Sequence, residues 1–472
     1  MKKYIKKKNV LIMCAIAVIS VMTLGLMLFL DNAHGIKKIK LDLEYNELFT
    51  QKELDKRGHK SVITEYITDI STAYNNKDGT KTFYIFTKPI RYINENQQLS
   101  LIDTRIANID DKNMLEKGYV YTIANSDIKP FFPRELSDNT SILLQKDMEY
   151  EYGVYTNKKI SAQYKKVTNF INKETDMVVY KNALGNGTRL GLYPSSLGNN
   201  CEIYFDKAPE TNEVSFWVKV SDPEVRLKKE SGGYLIMTKA KINAEGEQTD
   251  EIQAVIQKPL LKDKSGNVSY DNDLNIISKG TGIYELKFTF DKTKLNAGST
   301  AFISFEMRRE KQPDNALYSN FPYLENAYLK NYSAIGNSEH YGIGRLMIRY
   351  KFAKLFNLKS EQISKASFHM YSLTDNNDNL EMLSVLEDWC SITGNWNNQY
   401  KTGGQVSVFN HTGNEISFDV TKEVMKWCDD ESGQMEHNGL LFKSIHEKEG
   451  VYNIILSNDN TLYNNRMEIT IK

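Results

Sequence analysis

The chain has 472 residues, 60 basic and 60 acidic side chains, 28 tyrosines and 20 phenylalanines against four tryptophans, and four cysteines. Taking away the eight lysines and single acid of residues 1–40 leaves 52 basic against 59 acidic groups, a remainder of −7. That remainder lacks the cationic footprint of phosphate-backbone binding, which argues against nucleic acid as a partner; four cysteines exclude a disulfide scaffold, and the seven scattered histidines have no zinc-ligand spacing.

The N-terminus carries Lys2, Lys3, Lys6, Lys7 and Lys8, followed by an uncharged apolar run from Val10 to Leu30. Twenty-one helical residues span about 31 Å, the thickness of a bilayer core and more than a signal-peptide core needs. The competing cleaved signal peptide would place Asp31 at the −3 position, where small residues are required. The expectation is a signal anchor over residues 1–35, spanning the membrane once through residues 10–30. By the positive-inside rule its lysines stay in the cytoplasm and the large C-terminal part is extracellular.

Beyond Lys40 the tyrosine- and phenylalanine-rich composition suits half-buried strands. Ser61 to Tyr74 fits both a helix face and a strand and is assigned as a strand, followed by a turn at Asn76-Lys-Asp-Gly79 and a returning strand from Lys81 to Lys88. Short strands are then expected at Met177–Tyr180, Cys201–Phe205, Glu213–Val220, Gly233–Lys241, Glu251–Lys258, Gly282–Phe290 and Ser299–Arg308. The charged, proline-containing stretch Arg309 to Ser319 reads as a domain boundary. After it come strand candidates at Arg345–Phe352, Lys365–Leu373, Leu380–Leu386, Gln405–Phe409, Glu415–Val420, Asn438–Lys443, Val451–Leu456 and Arg466–Ile471. Eight strands suit a jelly roll. One helix interrupts them, with Thr421 as its cap and Val420, Val424 and Trp427 on its inward face. The fold class is therefore mainly β: an N-terminal transmembrane helix, a β-rich extracellular region over 36–310, and a jelly-roll-like antiparallel β-sandwich over 316–472.

Tyr341-Gly342, Arg345 to Phe352, Ile363 to Ala366, Trp389, Asn395-Trp-Asn-Asn-Gln399, Phe418-Asp-Val-Thr421, Trp427 and Asn438-Gly-Leu440 fall in an order that resembles the DNRLRE domain. The resemblance implies a β-sandwich of extracellular bacterial or archaeal proteins, similar to the carbohydrate-binding modules that accompany polysaccharide-degrading enzymes. More loosely, Asp78-Gly79, Thr87 to Tyr92, Leu101-Ile-Asp103 and Val179 to Gly185 resemble the region preceding the repeats of wall-associated RHS proteins. The Tyr-Asp repeats and toxin tip of those proteins do not follow here, so toxin delivery is not implied.

Trp396 with Asn397, Asn398 and Tyr400 combines a flat apolar surface with planar hydrogen-bonding groups, the pairing that glycan recognition uses; as a core residue, Trp396 would instead plug the sandwich, as Trp389 and Trp427 are expected to do. Asp375, Asn377 and Asp378, within Thr374 to Asn379, offer hard oxygen ligands for Ca²⁺, and a simple turn accounts for the same residues. Cys390 and Cys428 could be bridged, with Cys201 left over. No His-Glu-x-x-His, Gly-x-Ser-x-Gly, phosphate loop or positioned carboxylate pair occurs, so a non-enzymatic role without a cofactor is expected. The function that follows is binding of cell-wall polysaccharide or another extracellular glycan by a cell-surface protein. A scaffold or adhesin holding an envelope protein partner, with no sugar site, is the competing class.

Overall fold

Successive side chains along Glu213–Val220 point to opposite faces and show how this chain builds its sheets: Val214, Phe216, Val218 and Val220 are buried while the residues between them, Trp217 included, are more exposed. The computed structural model describes residues 48–146, 148–230, 233–242, 248–270, 272–307, 314–320, 332–350, 352–353, 356–374, 379–389, 396–397, 400–412, 414–456 and 465–472. It is mainly β, and its sheets are antiparallel. The expected membrane segment at 10–30 lies outside the described residues, and among the described residues no helix is long and apolar enough to cross a membrane.

Two sheets face each other in the first part of the chain. One runs, in spatial order, through the strands at 272–280, 283–290, 213–220, 149–154, 142–145, 129–133, 119–125 and 103–108. The other runs through 163–168, 174–181, 188–195, 198–205, 300–307, 248–256, 235–242 and 225–229. Tyr121, Tyr152, Phe216 and Phe288 from the first share one core with Tyr180, Leu192, Cys201 and Phe305 from the second. Tyr152 stacks on Phe305 with ring centroids 3.8 Å apart, and its hydroxyl donates to Asn199 Oδ1 at 2.6 Å. Tyr180 in this core likewise donates to the Pro133 carbonyl at 2.6 Å, whereas the buried Tyr150 hydroxyl has no partner among the described residues.

The second assembly is a larger sheet holding most of residues 314–472, and it also takes in residues 59–86. The hairpin expected around Asn76–Gly79 forms, with Tyr74 opposite Thr82 and Gly79 at φ 89° in the turn. Its second strand, Lys81–Phe86, pairs along its whole length with Arg466–Ile471, so that Phe83 lies opposite Ile469. Ala73, Phe83 and Ile85 thereby enter the same core as Phe368, Phe418, Phe442 and Met467. The single strand expected over Ser61–Tyr74 is broken: Thr64–Tyr66 is a 3₁₀ turn between His59–Val62 and Ser71–Asn76. The Ser71 hydroxyl closes that bend, bonding the Thr68 hydroxyl at 2.6 Å and the Tyr66 carbonyl at 2.9 Å. Within the expected boundary stretch, Asp314–Tyr318 is itself a strand and pairs with Gly342–Ile348.

The helix Thr421–Asp429 buries Val424 and Trp427, with Val420 at its cap position. Thr421 does not cap it. Its hydroxyl accepts from the Ala366 N–H at 2.9 Å and donates to Asp419 Oδ1 at 2.7 Å, fastening the helix start to the neighbouring strand. The two assemblies meet in a third apolar cluster, where Phe170, Tyr234, Ile236, Tyr270 and Phe302 pack with Tyr318, Tyr341, Tyr371, Leu373 and Leu456.

Candidate functional site

The strand Gly342–Ile348 and the residues just after it place two arginines four residues apart beside two tryptophans. Arg349 lies over Trp389 at 5.0 Å from the ring centroid and donates to the Trp389 carbonyl at 2.9 Å. Trp389 is buried and donates through its indole N–H to the Asn438 carbonyl at 2.7 Å; Trp427 is buried against Phe352. Both are core residues, as expected from sequence.

Trp396 is half-buried. It packs with Tyr400 against the cluster of Leu317, Met347, Val385, Trp389 and Leu441, and the Arg345 guanidinium sits 4.9 Å from its ring centroid. Arg345 is held in a fork on Glu447, at 3.0 Å from Nε and 3.3 Å from the terminal nitrogen. Beside this pair lies a cleft of about 110 Å³ whose lining includes Arg345, Tyr400, Thr402, Leu383 and Lys443. Lys443 pairs with Glu381 at 2.8 Å, and Gln405 donates to the other oxygen of that carboxylate at 3.0 Å. Asn397 is exposed beside Trp396. Of the four expected ligand residues, Trp396 and Tyr400 share one cluster, whereas Asn398 lies outside the described residues. Arg345, Thr402 and Lys443 were not assigned to this site from sequence; an arginine at alternating spacing in a strand carries no signal of the indole it covers.

Asp375, Asn377 and Asp378 lie outside the described residues, and no group of three or more metal-ligating side chains occurs among the described ones. The bridge considered for Cys428 is not formed. That thiol is free and packs half-buried against the core of the second assembly, and burial pushes its pKa up to about 11; Cys390 lies outside the described residues. Cys201 is a free thiol in the first core, and burial drives its pKa far up as well.

A second polar array lies on the outer face of the larger sheet. Ser367 Oγ is 2.9 Å from His369 Nε2, and His369 Nδ1 is 3.1 Å from Glu415 Oε1, while Arg466 bonds Glu415 at 2.8 Å and Glu468 at 2.7 Å. The His369 hydrogen bond, and then Arg466, hold the Glu415 carboxyl down at about 2 against the opposing effect of burial. The order of hydroxyl, imidazole and carboxylate is that of a hydrolytic triad. However, Ser367 sits in a strand paired on both sides, so the surrounding N–H groups belong to the ladders and none is aimed at a developing oxyanion. What the array does physically is tie three strands together through one ion network.

No protein-family model matches the chain, and no curated protein matches it. Among solved structures, the N-terminal domain of the Streptococcus gordonii adhesin Sgo0707 aligns over 91% of this chain and 92% of its own at 8% identity, with a TM-score of 0.15. A score that low supports no inference about fold or function.

Proposed function

We propose that the chain is a cell-surface protein, anchored by residues 10–30, that binds cell-wall polysaccharide or another extracellular glycan without cleaving it. In this proposal the region 316–472 is a jelly-roll-like sandwich of the DNRLRE kind, the upstream region corresponds to the pre-repeat part of RHS wall proteins, and the sugar lies against Trp396, Asn397, Asn398 and Tyr400. The observation that supports it best is the half-buried indole of Trp396 beside a cleft lined by Tyr400, Thr402, Arg345 and Lys443. An indole supplies a flat apolar surface for a pyranose face, and the neighbouring hydroxyl, guanidinium and ammonium groups can bond its oxygens. The apolar anchor at the N-terminus, with lysines on its short side, would hold this site outside the membrane.

The rival role is that of a scaffold for an envelope protein partner. It draws on the same residues, because Arg345 over the Trp396 ring is also what a purely structural indole would have. The test is co-sedimentation of the full-length chain with isolated wall material, with and without competing polysaccharide. The full chain is required because Lys81–Phe86 forms the edge partner of Arg466–Ile471, and a fragment starting at 316 would lose it. Saturable, competed retention supports glycan binding. No retention by folded protein favours the scaffold.

A further inference from the structure

We infer that His59 is the pin of an acid-released latch: neutral, it fastens the strand His59–Val62 and the short helix before it to the larger sheet, and on taking a proton it lets them go. That strand is the outermost of its sheet and, among the described strands, pairs with Ser71–Asn76 alone, His59 lying opposite Asn76. The helix Gln51–Arg57 turns into it through Gly58 at φ 77°. The buried apolar anchors of the segment are only Leu48, Phe49 and Leu54. So few contacts allow it to open locally while the rest of the chain stays folded.

The hydrogen bonds around His59 leave it one tautomer. Thr80 donates its hydroxyl proton to the Asp78 carboxylate at 2.6 Å, so towards Asn76 Nδ2, at 2.8 Å, its oxygen can only accept. That sets the Asn76 amide, whose Oδ1 faces His59 Nδ1 at 2.7 Å and requires a proton there. In the neutral ring Nε2 is then the acceptor, and it takes the Tyr84 hydroxyl proton at 2.8 Å, while Arg57 donates to the same hydroxyl at 3.4 Å. A second proton on the imidazole lands on Nε2 and points at Tyr84. The phenol oxygen then has two donors aimed at it, and its own proton has no acceptor among the described residues.

Little else can take up the charge. His59 is 3% exposed and stacks on Tyr74 at 4.7 Å with an interplanar angle of 7°, and Tyr84 and Phe49 close its other sides at 5.6 and 6.2 Å. Of the charged groups facing it, Arg57 on the helix opposes an imidazolium and Glu468 on the last strand favours one; the other titratable neighbours are the phenols Tyr74 and Tyr84, with Arg466 beyond the latter. Burial dominates and holds the pKa of the ring below the ordinary 6.5, although the Asn76 bond raises it. The open segment therefore takes a proton near 6.5 and the closed one only at lower pH, so the latch is at full strength above about 6.5 and weakens as the pH falls below it. Release bares the backbone edge of Ser71–Asn76. The device shares no residue with the Trp396 site and stands apart from the glycan proposal.

The test is hydrogen exchange of the full-length chain at about pH 7 and about pH 5, read by mass spectrometry with rates corrected for the intrinsic effect of pH. At about pH 5 an open imidazole of ordinary pKa is charged roughly thirtyfold over neutral, which sets the ceiling on the change. Protection in residues 48–63 should fall about fivefold or more, up to that ceiling, with Glu213–Val220 unaffected. In His59→Gln the fall should vanish. In Asn76→Asp, whose carboxylate would pair with the charged ring, protection at the lower pH should equal or exceed that at the higher one, and this variant decides the matter if His59→Gln does not fold. No change in the native chain, an equal loss in Glu213–Val220, or the same fall persisting in either variant overturns the inference.

Discussion

Replacing Phe83 by alanine should destabilise the assembly that holds the C-terminus, although the two lie almost 400 residues from each other along the chain. Phe83 is fully buried, stands opposite Ile469, and has the rings of Tyr66 and Phe356 at 4.9 and 5.6 Å. Truncating such a side chain removes its burial and leaves a cavity, at about 3–5 kcal/mol. For a unit of roughly 150–250 residues each kcal/mol moves the midpoint by about 2–4 °C, so a fall on the order of 10 °C is expected. Tryptophan fluorescence during thermal unfolding is the natural assay, because Trp389, Trp396 and Trp427 all belong to this assembly and only Trp217 lies in the other. Phe216→Ala, equally buried but in the first core, serves as the control and should leave the transition of those three tryptophans largely in place. If Phe83→Ala shifts that transition by less than about 2 °C, the pairing of Lys81–Phe86 with Arg466–Ile471 does not contribute as described.

Glu415, held down at about 2, binds a proton in the unfolded chain near the ordinary carboxylate value but not in the fold, so its contribution is full above about 4.5 and lost as the pH falls toward 2. Glu415→Gln should therefore flatten that part of an acid-unfolding curve, and an unchanged curve would refute the role of the His369–Arg466 pair. Lys258 acts in the opposite range: burial lowers its pKa to about 8, so between about pH 8 and 10 it is protonated more in the unfolded chain than in the fold, stability should rise with pH there, and Lys258→Met should remove the rise. Cys201, buried with its pKa driven up, should resist iodoacetamide in the native chain and react once denatured, as peptide mass mapping would show. If Thr374–Asn379 is a turn, chelator should leave the melting temperature unchanged; a fall reversed by Ca²⁺ would establish an ion there.

Strands whose side chains alternate cleanly were legible in the sequence. Glu213–Val220 and Arg466–Ile471 match their expected bounds, and the hairpin at Asn76–Gly79 was readable from its turn residues. Their partners were not. Nothing local in Lys81–Phe86 indicates that its neighbour is the last strand of the chain, since period-two patterning sets which face is buried and leaves the pairing open. Thr421 was misread for a related reason: its hydroxyl has a long-range partner in Ala366 that outcompetes the local cap. The core assignments of Trp389 and Trp427 followed from composition and helical spacing, whereas the Arg345–Trp396 and His59–Tyr84 contacts come from separate segments that only the folded sheets juxtapose.

The most direct measurement is the binding isotherm of solubilised wall polysaccharide with the full-length chain, for the native protein and for Trp396→Ala, with the melting temperature of each recorded beside it. The account predicts saturable binding weakened at least tenfold in the variant with little change in melting temperature. Equal affinity in both, or a variant that loses binding only because it unfolds, would contradict the placement of a glycan against Trp396.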